Sequence, residues 1–542
     1  MPDDCWATDW MGQEPDERAR RRLYLTRELR ASDFDRLKLY APRVRRVLLD
    51  EECRALPPRA RLSQLTLLAD TVLEALTAHF PLGTLLPRLQ ILHQAHLSSP
   101  LHYRALAVLA GPHLRNLSDQ MIGHVDPDLA REDSEFCRAL AALKERSPGM
   151  RFFQLYASVR CYAAMDRAVS DALCGFGQLQ HVSLEQFPIT PRALAHLAGL
   201  PSLYALEVWV QHTDYSAVEL DESGGPDNET PFPALRVLSL TQGQPGLAAC
   251  TSALACIRPP CLRSVTVTST SYMQYSPADE IPGVLRLLGA PPLCESLRSV
   301  TLEVVNGCVR SGDELPAAAL RPLLQLANLE MLDLDVRCLV AADDALLHAM
   351  SKAWPRLAHL RLGTEHPPPR IPRPPPATLA GLLGFAHRSP ALRSLGLHVR
   401  TDVQALPRLL REVRPGRGAV HRGLESLGVG RSHLAYEDVL PVAAFLSDVF
   451  PGLVEVECAW AFADDEDEDD DGALEDGEED GDEAARRRRD PHGAERRAEA
   501  RVRRRWNRVH ELIPVFERVR EQERKWAVRH GQRILTPADA GL

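Results

Sequence analysis

Residues Phe232–Leu240 read FPALRVLSL and contain the pattern LxxLxL, with leucines at 235, 238 and 240. The last two leucines are two positions apart, so in a β-strand their side chains point to the same side. A strand this short cannot bury an apolar face alone and becomes stable only when a neighbouring copy packs beside it. The stretch therefore predicts a chain built from stacked copies of one unit.

Copies of the pattern occur ten times, at intervals of 24 to 35 residues. They begin at Leu179, Leu203, Leu235, Leu262, Leu297, Leu329, Leu357, Leu392, Leu424 and Leu453. Weaker copies begin at Val44, Leu89, Leu114 and Phe152. At Leu62 the sequence LSQLTL fits the pattern, but the apolar spacing directly after it favours a helix.

Helix-like segments separate the copies. They cover a stretch from Thr190, which would be an N-cap before Pro191, and the stretches 343–354, 378–388 and 437–450. A proline follows Trp354, Ser389 and Phe450, where it would end the helix and turn the chain into the next strand. Alternating short strands and helices predict an α/β leucine-rich-repeat solenoid, a curved horseshoe with parallel strands on its concave face and helices on its convex face.

The ends of the chain differ in composition from the repeats. Between Asp16 and Leu39, leucines recur at roughly helical spacing, which predicts a helical cap on the first repeat. The predicted organisation is a cap or residual segment at 1–43, the solenoid at 44–462, a disordered acidic then basic insertion at 463–500, a capping helix at 501–530 and a flexible tail at 531–542.

Residues 464–483 contain 15 acidic and no basic side chains. The whole chain has a formal charge of −10, so this one segment accounts for the overall acidity. Four arginines at 486–489 follow it, and they could serve nuclear import or nucleic-acid contact, although no RNA-binding motif accompanies them. Next, an apolar stripe predicts an amphipathic helix, bent or ended at Pro514, that packs on the last repeat or binds a partner: Val502, Trp506, Val509, Ile513 and Phe516.

Two loops interrupt the repeat rhythm. The acidic stretch Asp214–Pro231 reads as a solvated insertion. A proline-rich run at 366–376 reads as a stiff loop leading into the next helix, with a ligand for a PxxP-binding domain as the alternative.

Several function classes find no support in the sequence. The first residues lack the apolar run of a secretory signal, and no apolar run is long enough to cross a membrane, so we expect no membrane association and a cytoplasmic or nuclear protein. The 12 cysteines are scattered, and the group at 250, 256 and 261 lacks metal-ligand spacing, so we expect reduced thiols and no metal or cofactor. No catalytic motif is present, so we expect a protein that is not an enzyme. We also expect the protein to be a monomer.

A binding surface remains as the expected functional feature. In each copy the third, fifth and seventh positions point away from the leucines, and stacked strands would join them into one wall. Aromatic, arginine and carboxylate side chains in that wall are the candidates for contact with a protein partner. The candidates are Glu207, Trp209, Asp333, Asp335, His359, Arg361 and His398.

The order of segments resembles the fungal F-box/leucine-rich-repeat family. The resemblance covers most of the chain from Ser32 to Trp460 and is carried by SDFDRLKLYAPRVRRV from Ser32, LLPRLQIL from Leu85, FPALRVLSL from Phe232, WPRLAHLRLG from Trp354 with TLAGLL from Thr378, and FLSDVFPGL from Phe445. Members of that family are similar to substrate receptors of SCF-type ubiquitin ligases, in which a helical F-box holds the Skp adaptor of a cullin complex and the repeats select the substrate.

We expect the F-box itself to be missing or degenerate in this sequence. No Leu-Pro-x-Glu-like helix start precedes Ser32, and the 31 residues before it are too few for the helical bundle. The resemblance implies a non-catalytic module like the substrate-recognition part of such a receptor, with Skp and cullin as partners only if the box survives. The alternatives are a leucine-rich-repeat scaffold unrelated to ubiquitin, or a nuclear factor that uses the arginine-rich tail.

Overall fold

A computed structural model describes residues 4–11, 20–49, 66–68, 70–97, 100–122, 127–158, 162–211, 215, 231–244, 246–270, 279–304, 314–366, 373–401, 418–460 and 491–529. The chain forms two compact units, one made of Met1–Gly243 with Ser252–Leu262 and the other of Gln244–Thr251 with Arg263–Leu542. The predicted solenoid at 44–462 therefore covers parts of both units.

The first unit contains strands β1 (Trp6–Met11), β2 (Arg20–Leu25), β3 (Arg46–Leu49), β4 (Thr66–Leu68), β5 (Ile91–Leu97), β6 (Asn116–Ile122), β7 (Phe152–Ala157), β8 (His181–Pro188), β9 (Ala205–Val210) and β10 (Val237–Gln242). Its helices are α1 (Asp35–Tyr40), α2 (Asp70–His79), α3 (Pro100–Leu109), α4 (Glu135–Arg146), α5 (Ala163–Leu173) and α6 (Pro191–Ala198). Strands β3 and β5 to β10 pair in parallel in chain order. The next helix, α7 (Ala248–Cys256), has residues in both units.

The second unit contains strands β11 (Ser264–Ser269), β12 (Ser299–Val304), β13 (Glu314–Pro316), β14 (Met331–Asp335), β15 (Leu339–Ala341), β16 (His359–Leu362), β17 (Ser394–Leu397), β18 (Ser426–Gly430) and β19 (Glu455–Cys458). Its helices are α8 (Ile281–Leu288), α9 (Leu293–Ser296), α10 (Ala317–Leu320), α11 (Asp344–Ala353), α12 (Leu383–Arg388), α13 (Val439–Val449) and α14 (Pro491–Arg529). Strands β11, β12, β14 and β16 to β19 form a parallel ladder in chain order, and β13 pairs with β15.

The leucine pattern explains where these strands lie. Each of the ten strong copies forms a strand that begins two residues after its first leucine, and the four weaker copies also become strands of the parallel ladders. All three leucines of the copies at 235 and 329 are fully buried. The predicted inward side of the strands is therefore confirmed, and the fold is α/β with large parallel sheets, as expected for stacked repeats.

Neighbouring copies are also joined through their backbones. The carbonyl of Glu330 accepts hydrogen bonds from both Ala358 N–H and His359 N–H, and the carbonyl of Arg298 does the same for Glu330 and Met331. This two-to-one contact recurs along the ladders just before each strand begins. These two hydrogen bonds to one carbonyl fix the register of each strand on the next, because a shift by one residue would break both of them.

Most predicted helix starts and stops are confirmed. Thr190 accepts a hydrogen bond from Ala193 N–H, and Asp343 accepts one from Leu346 N–H, so both are N-caps. Helices α11, α12 and α13 each end two residues before a proline, at Pro355, Pro390 and Pro451 respectively. After Leu62, strand β4 takes up the end of LSQLTL, and most of the stretch after it that favoured a helix forms α2 from Asp70.

The N-terminal residues differ from the predicted helical cap at 1–43. Strands β1 and β2 form an antiparallel pair, and β4 adds to β2. Among residues 4–11 and 20–43, helix is limited to α1 with short 3₁₀ turns on either side of it. Leu23 and Leu25 lie two positions apart, which is the spacing of a strand and not that of a helix.

The C-terminal helix α14 is longer than predicted. It begins at Pro491, ten residues before the predicted start of the capping helix at 501, and continues through Pro514 to Arg529. Arg520 donates to the carbonyl of Ala444 and lies 3.7 Å from the carboxylate of Asp448, so α13 holds the helix on the far side of the proline. The tertiary contacts explain why the missing backbone donor of Pro514 does not end the helix.

Some predicted segments lie outside the described residues. They include nearly all of the acidic stretch 214–231, the middle of the proline-rich run, the insertion before Pro491 and the tail at 531–542. In the part of the chain that the structure covers, no helix is long and apolar enough to span a bilayer.

Candidate functional site

The candidate site is the polar face of the parallel ladder in the second unit. Pairing places one row of side chains in register across the strands, in the order Thr266, Thr301, Asp333, Arg361, Gly396, Gly428 and Glu457. The row next to it pairs Thr268 with Glu303 and Glu303 with Asp335. These residues alternate with the buried leucines and valines, so they lie on the opposite face of the sheet.

Six side chains on this face form what we call the charged cluster: Glu303, Asp333, Asp335, Arg361, Glu365 and His366. Arg361 is 3.7 Å from the Asp333 carboxylate and also pairs with Glu365. His366 Nδ1 is 2.6 Å from Asp335 Oδ2, and the His366 backbone N–H donates to the other oxygen of the same carboxylate. The cluster therefore contains four carboxylates and only one permanent cation.

Burial, together with the excess of carboxylates, changes the proton affinity of two members of the cluster. Burial raises the pKa of Asp333 to about 6, and the charges of Glu365, Asp335 and Glu303 add to the rise, while Arg361 opposes it. Burial, with help from Asp335 and Glu365, also raises the pKa of Glu303. Both groups are harder to ionise than free carboxylates, so an added cation would be stabilised here.

A short segment after β16 folds back onto the same face. Gly363 has φ of +68°, which lets the chain turn sharply after the strand. Thr364 then lies over Gly396, where an added Cβ would come within 2.6 Å of the threonine hydroxyl oxygen. The missing side chain at Gly396 thus makes room for the segment that brings Glu365 and His366 to the cluster.

The seven residues selected from the sequence are not all gathered in one place. Asp333, Asp335 and Arg361 lie in the charged cluster, and His359 is exposed at the start of β16 on the same face. Asp335 itself is buried and bound to His366. Contact of any of the seven with a partner stays a prediction, and buried members could reach one only through their neighbours.

The two residues of the first unit have local partners. Glu207 accepts a hydrogen bond from the Ser183 hydroxyl at 2.8 Å and lies 3.4 Å from His181, whose contact lowers the pKa of this carboxyl. Trp209 is only 4% exposed and packs over Gly243. An anchor for a partner needs exposed area, so the burial of Trp209 favours a packing role.

His398 is also buried, with 3% of its surface exposed. Its Nε2 lies over Gly430, and among the described residues neither ring nitrogen has a hydrogen-bond partner. Burial, assisted by the positive charge of Arg431, lowers the pKa of His398 to about 4. It is a neutral histidine packed in the protein at ordinary pH, which does not fit the exposed contact predicted from the sequence.

Sequence reasoning missed three members of the cluster. Glu303 occupies the same repeat position as Asp335, and this equivalence could have identified it. Glu365 and His366 follow β16, outside the repeat pattern, and no sequence signal links them to Asp333 or Asp335. Among the described residues, no three histidine, cysteine or acidic side chains are arranged to hold a metal ion.

Comparison with known proteins gives little further information. No family model matches the chain, and no curated protein matches it. Among solved structures the chain is similar to the crystal structure of a Rad7 and Elc1 complex in yeast, with 13% sequence identity and a TM-score of 0.34, over 71% of this chain and 78% of that chain. A likeness this low assigns neither a family nor a function.

Proposed function

We propose that the chain is a non-catalytic protein-interaction module whose charged cluster contacts a basic segment of a protein partner. The observation that carries the proposal is the excess of carboxylates around Asp333, whose pKa is raised to about 6. A carboxylate that is costly to ionise in the free protein gains most when a lysine or arginine arrives beside it. The cluster would then give the partner its electrostatic specificity.

The proposal also names the type of complex in which the module would act. Following the resemblance in the sequence, the repeats would select a substrate for a ubiquitin ligase of the SCF type. The residues before Val44 lend this link no support of their own, because the described ones form strands β1 and β2 and a single short α-helix. A scaffold unrelated to ubiquitin is the alternative, and recovery of a Skp adaptor and a cullin with the chain distinguishes the two.

The test is affinity purification of the full chain from its own cells, with quantitative mass spectrometry of the recovered proteins. Wild type is compared with the double variant Glu303→Gln, Asp333→Asn. We expect at least one stoichiometric partner with a basic segment to be reduced about tenfold with the double variant, since loss of close charge pairs costs 1.5 kcal/mol or more. Skp and cullin among the wild-type partners would support the ubiquitin link.

The matched control is Glu330→Gln. Glu330 is an exposed carboxylate that pairs with Arg298 at 3.0 Å and lies before β14, outside the charged cluster. It should leave recovery unchanged. Equal recovery of every partner by wild type and the double variant would contradict the proposed site, whereas loss of partners with the control as well would show a general charge effect.

A further inference from the structure

A row of arginines lies along one face of helix α14. Arg497, Arg501, Arg504 and Arg508 follow one another at intervals of four, three and four residues, which places them on a single face of an α-helix. The row spans about 16 Å along the helix axis. We call it the arginine stripe.

The stripe is separate from the face that packs on the protein. The buried residues in this part of the helix lie on a different face from the stripe, and they are Val502, Trp506, Val509 and Ile513. The four stripe arginines are exposed or half-buried. Within the described residues, three of them have no acidic partner, and only Arg508 pairs, with Glu511 at 2.8 Å.

The chain itself brings an acidic segment to this helix. Arg503 donates a hydrogen bond of 2.8 Å to the carbonyl of Trp460, so the connection from 461 to 490 starts beside the fourth turn of the helix. The connection ends at Pro491, where α14 begins. Those two points are separated by about 18 Å of helix, which is short for 30 residues.

The tether limits how far the first acidic residues can be from the stripe. Asp464 is four residues from Trp460 and so at most about 14 Å from it. From there, the segment 464–483 carries 15 carboxylates and no basic side chain. A segment held at both ends on the same helix has an effective concentration on the order of millimolar at nearby sites.

We propose that the arginine stripe of α14 is an anion-binding face and that the chain's own segment 464–483 is its occupant. The stripe supplies a linear array of guanidinium groups, and the segment supplies more carboxylates than the stripe can pair with. The contact is electrostatic and tolerant of register, so it weakens steeply with salt.

The test uses a full-length variant, called the replaced protein, in which residues 464–483 are substituted by glycine and serine. The probe is a fluorescein-labelled peptide with the sequence 464–483, and binding is measured by fluorescence anisotropy at low and at high salt. We expect the replaced protein to bind the peptide about tenfold more tightly than wild type, because the tethered segment competes in wild type. High salt should remove most of the binding.

Two further variants locate the contact. Changing Arg497, Arg501, Arg504 and Arg508 to glutamine in the replaced protein should abolish peptide binding, and circular dichroism should show that α14 persists. The control changes Arg518 and Arg524, which lie off the stripe, and should bind as before.

Three results would overturn the proposal. The first is equal peptide affinity of wild type and the replaced protein. The second is undiminished binding after loss of the stripe, which would point to the arginines at 486–489. The third is equally tight binding of a single-stranded oligonucleotide to both proteins, which would show that the stripe is open to nucleic acid rather than occupied.

Discussion

At the residue scale, a buried histidine and a half-buried aspartate affect stability in opposite directions. His398 has a pKa lowered to about 4 and must stay neutral in the folded state, whereas Asp333 has a pKa raised to about 6 and is destabilising when ionised. Both groups change the free energy of unfolding between about pH 4 and 6.5, and because their contributions have opposite signs they partly cancel in wild type. Each is therefore measured as the difference between a variant and wild type.

For His398, acid should destabilise the fold. Below about pH 6.5 the histidine is protonated in the unfolded chain, whereas in the folded protein it stays neutral down to about pH 4. The free energy of unfolding therefore decreases as the pH falls through this range. At pH 5 the loss is about 2 kcal/mol. We expect the free energy of unfolding of His398→Gln, measured with urea, to decrease less between pH 7 and pH 5 than that of wild type. His359→Gln, at an exposed position, is the control and should keep the wild-type decrease.

For Asp333, the sign is reversed. The folded carboxyl binds its proton more tightly than the unfolded one, so stability falls as the pH rises from about 4 through 6. Asp333→Asn should therefore be more stable than wild type at pH 8, with the advantage shrinking towards pH 4. A variant that is less stable than wild type at pH 8 would show that the ionised carboxylate is well compensated by Arg361.

At the scale of single elements, the segment after β16 depends on a glycine. A Cβ at Gly396 would lie 2.6 Å from the Thr364 hydroxyl oxygen and 3.0 Å from Arg361 Cγ, whereas a Cβ at Gly428 would lie 3.4 Å from the same hydroxyl. Gly396→Ala should cost about 1–3 kcal/mol through overpacking. Gly428→Ala should cost clearly less, and chemical denaturation compares the two. Equal costs would mean that Thr364 does not rest on Gly396.

The C-terminal helix offers a second pair of variants. Trp506 is 1% exposed and its indole N–H donates to the carbonyl of Ser432 at 2.9 Å, whereas Trp526 is 55% exposed. Trp506→Ala should destabilise the second unit by about 3–5 kcal/mol, and Trp526→Ala should have a small effect. Differential scanning calorimetry of both variants provides the measurement. Similar melting temperatures for the two would contradict the packing of α14 on β19 and α13.

At the scale of the whole molecule, the leucine pattern acts equally in both units. Leu238, the second leucine of its copy in the first unit, and Leu334, the third leucine of its copy in the second unit, are both fully buried. Replacing either by alanine should cost about 2–5 kcal/mol, since each leaves a cavity in a packed core. Urea unfolding of the two variants measures the cost. Wild-type stability of either would contradict the inward assignment of its leucine.

The sequence determined the strands far better than the site. A period of two and an apolar residue three positions earlier, usually leucine, located the strands β3, β5 to β12, β14 and β16 to β19, because burial of these apolar side chains stabilises the stacked copies. The short pair of β13 and β15 carries no such pattern. The strands β1 and β2 were missed, since Leu23 and Leu25 were counted towards a helix. The early start of α14 at Pro491 was missed because a charged, arginine-rich stretch has a weak apolar pattern until it packs.

The charged cluster was only half visible in the sequence. Asp333, Asp335 and Arg361 follow from strand alternation, whereas Glu365 and His366 reach them through the turn at Gly363 and the space above Gly396. Burial of Trp209 and His398 also depends on the close approach of Gly243 and Gly430 in the next copy, and the leucine pattern does not specify how deeply a side chain packs there. Side-chain positions set by tertiary contacts cannot be derived from a repeat pattern alone.

The most direct test of the interaction surface is carboxyl footprinting of the purified protein, alone and in the complex recovered from cells. Carboxylates are labelled with a carbodiimide and an amine, and labelling rates at individual residues are measured by mass spectrometry. We expect the partner to slow labelling of Glu303 and Glu365 and to leave Glu330 unchanged. Unchanged rates at Glu303 and Glu365 in a complex with bound partner would contradict the charged cluster as the binding site.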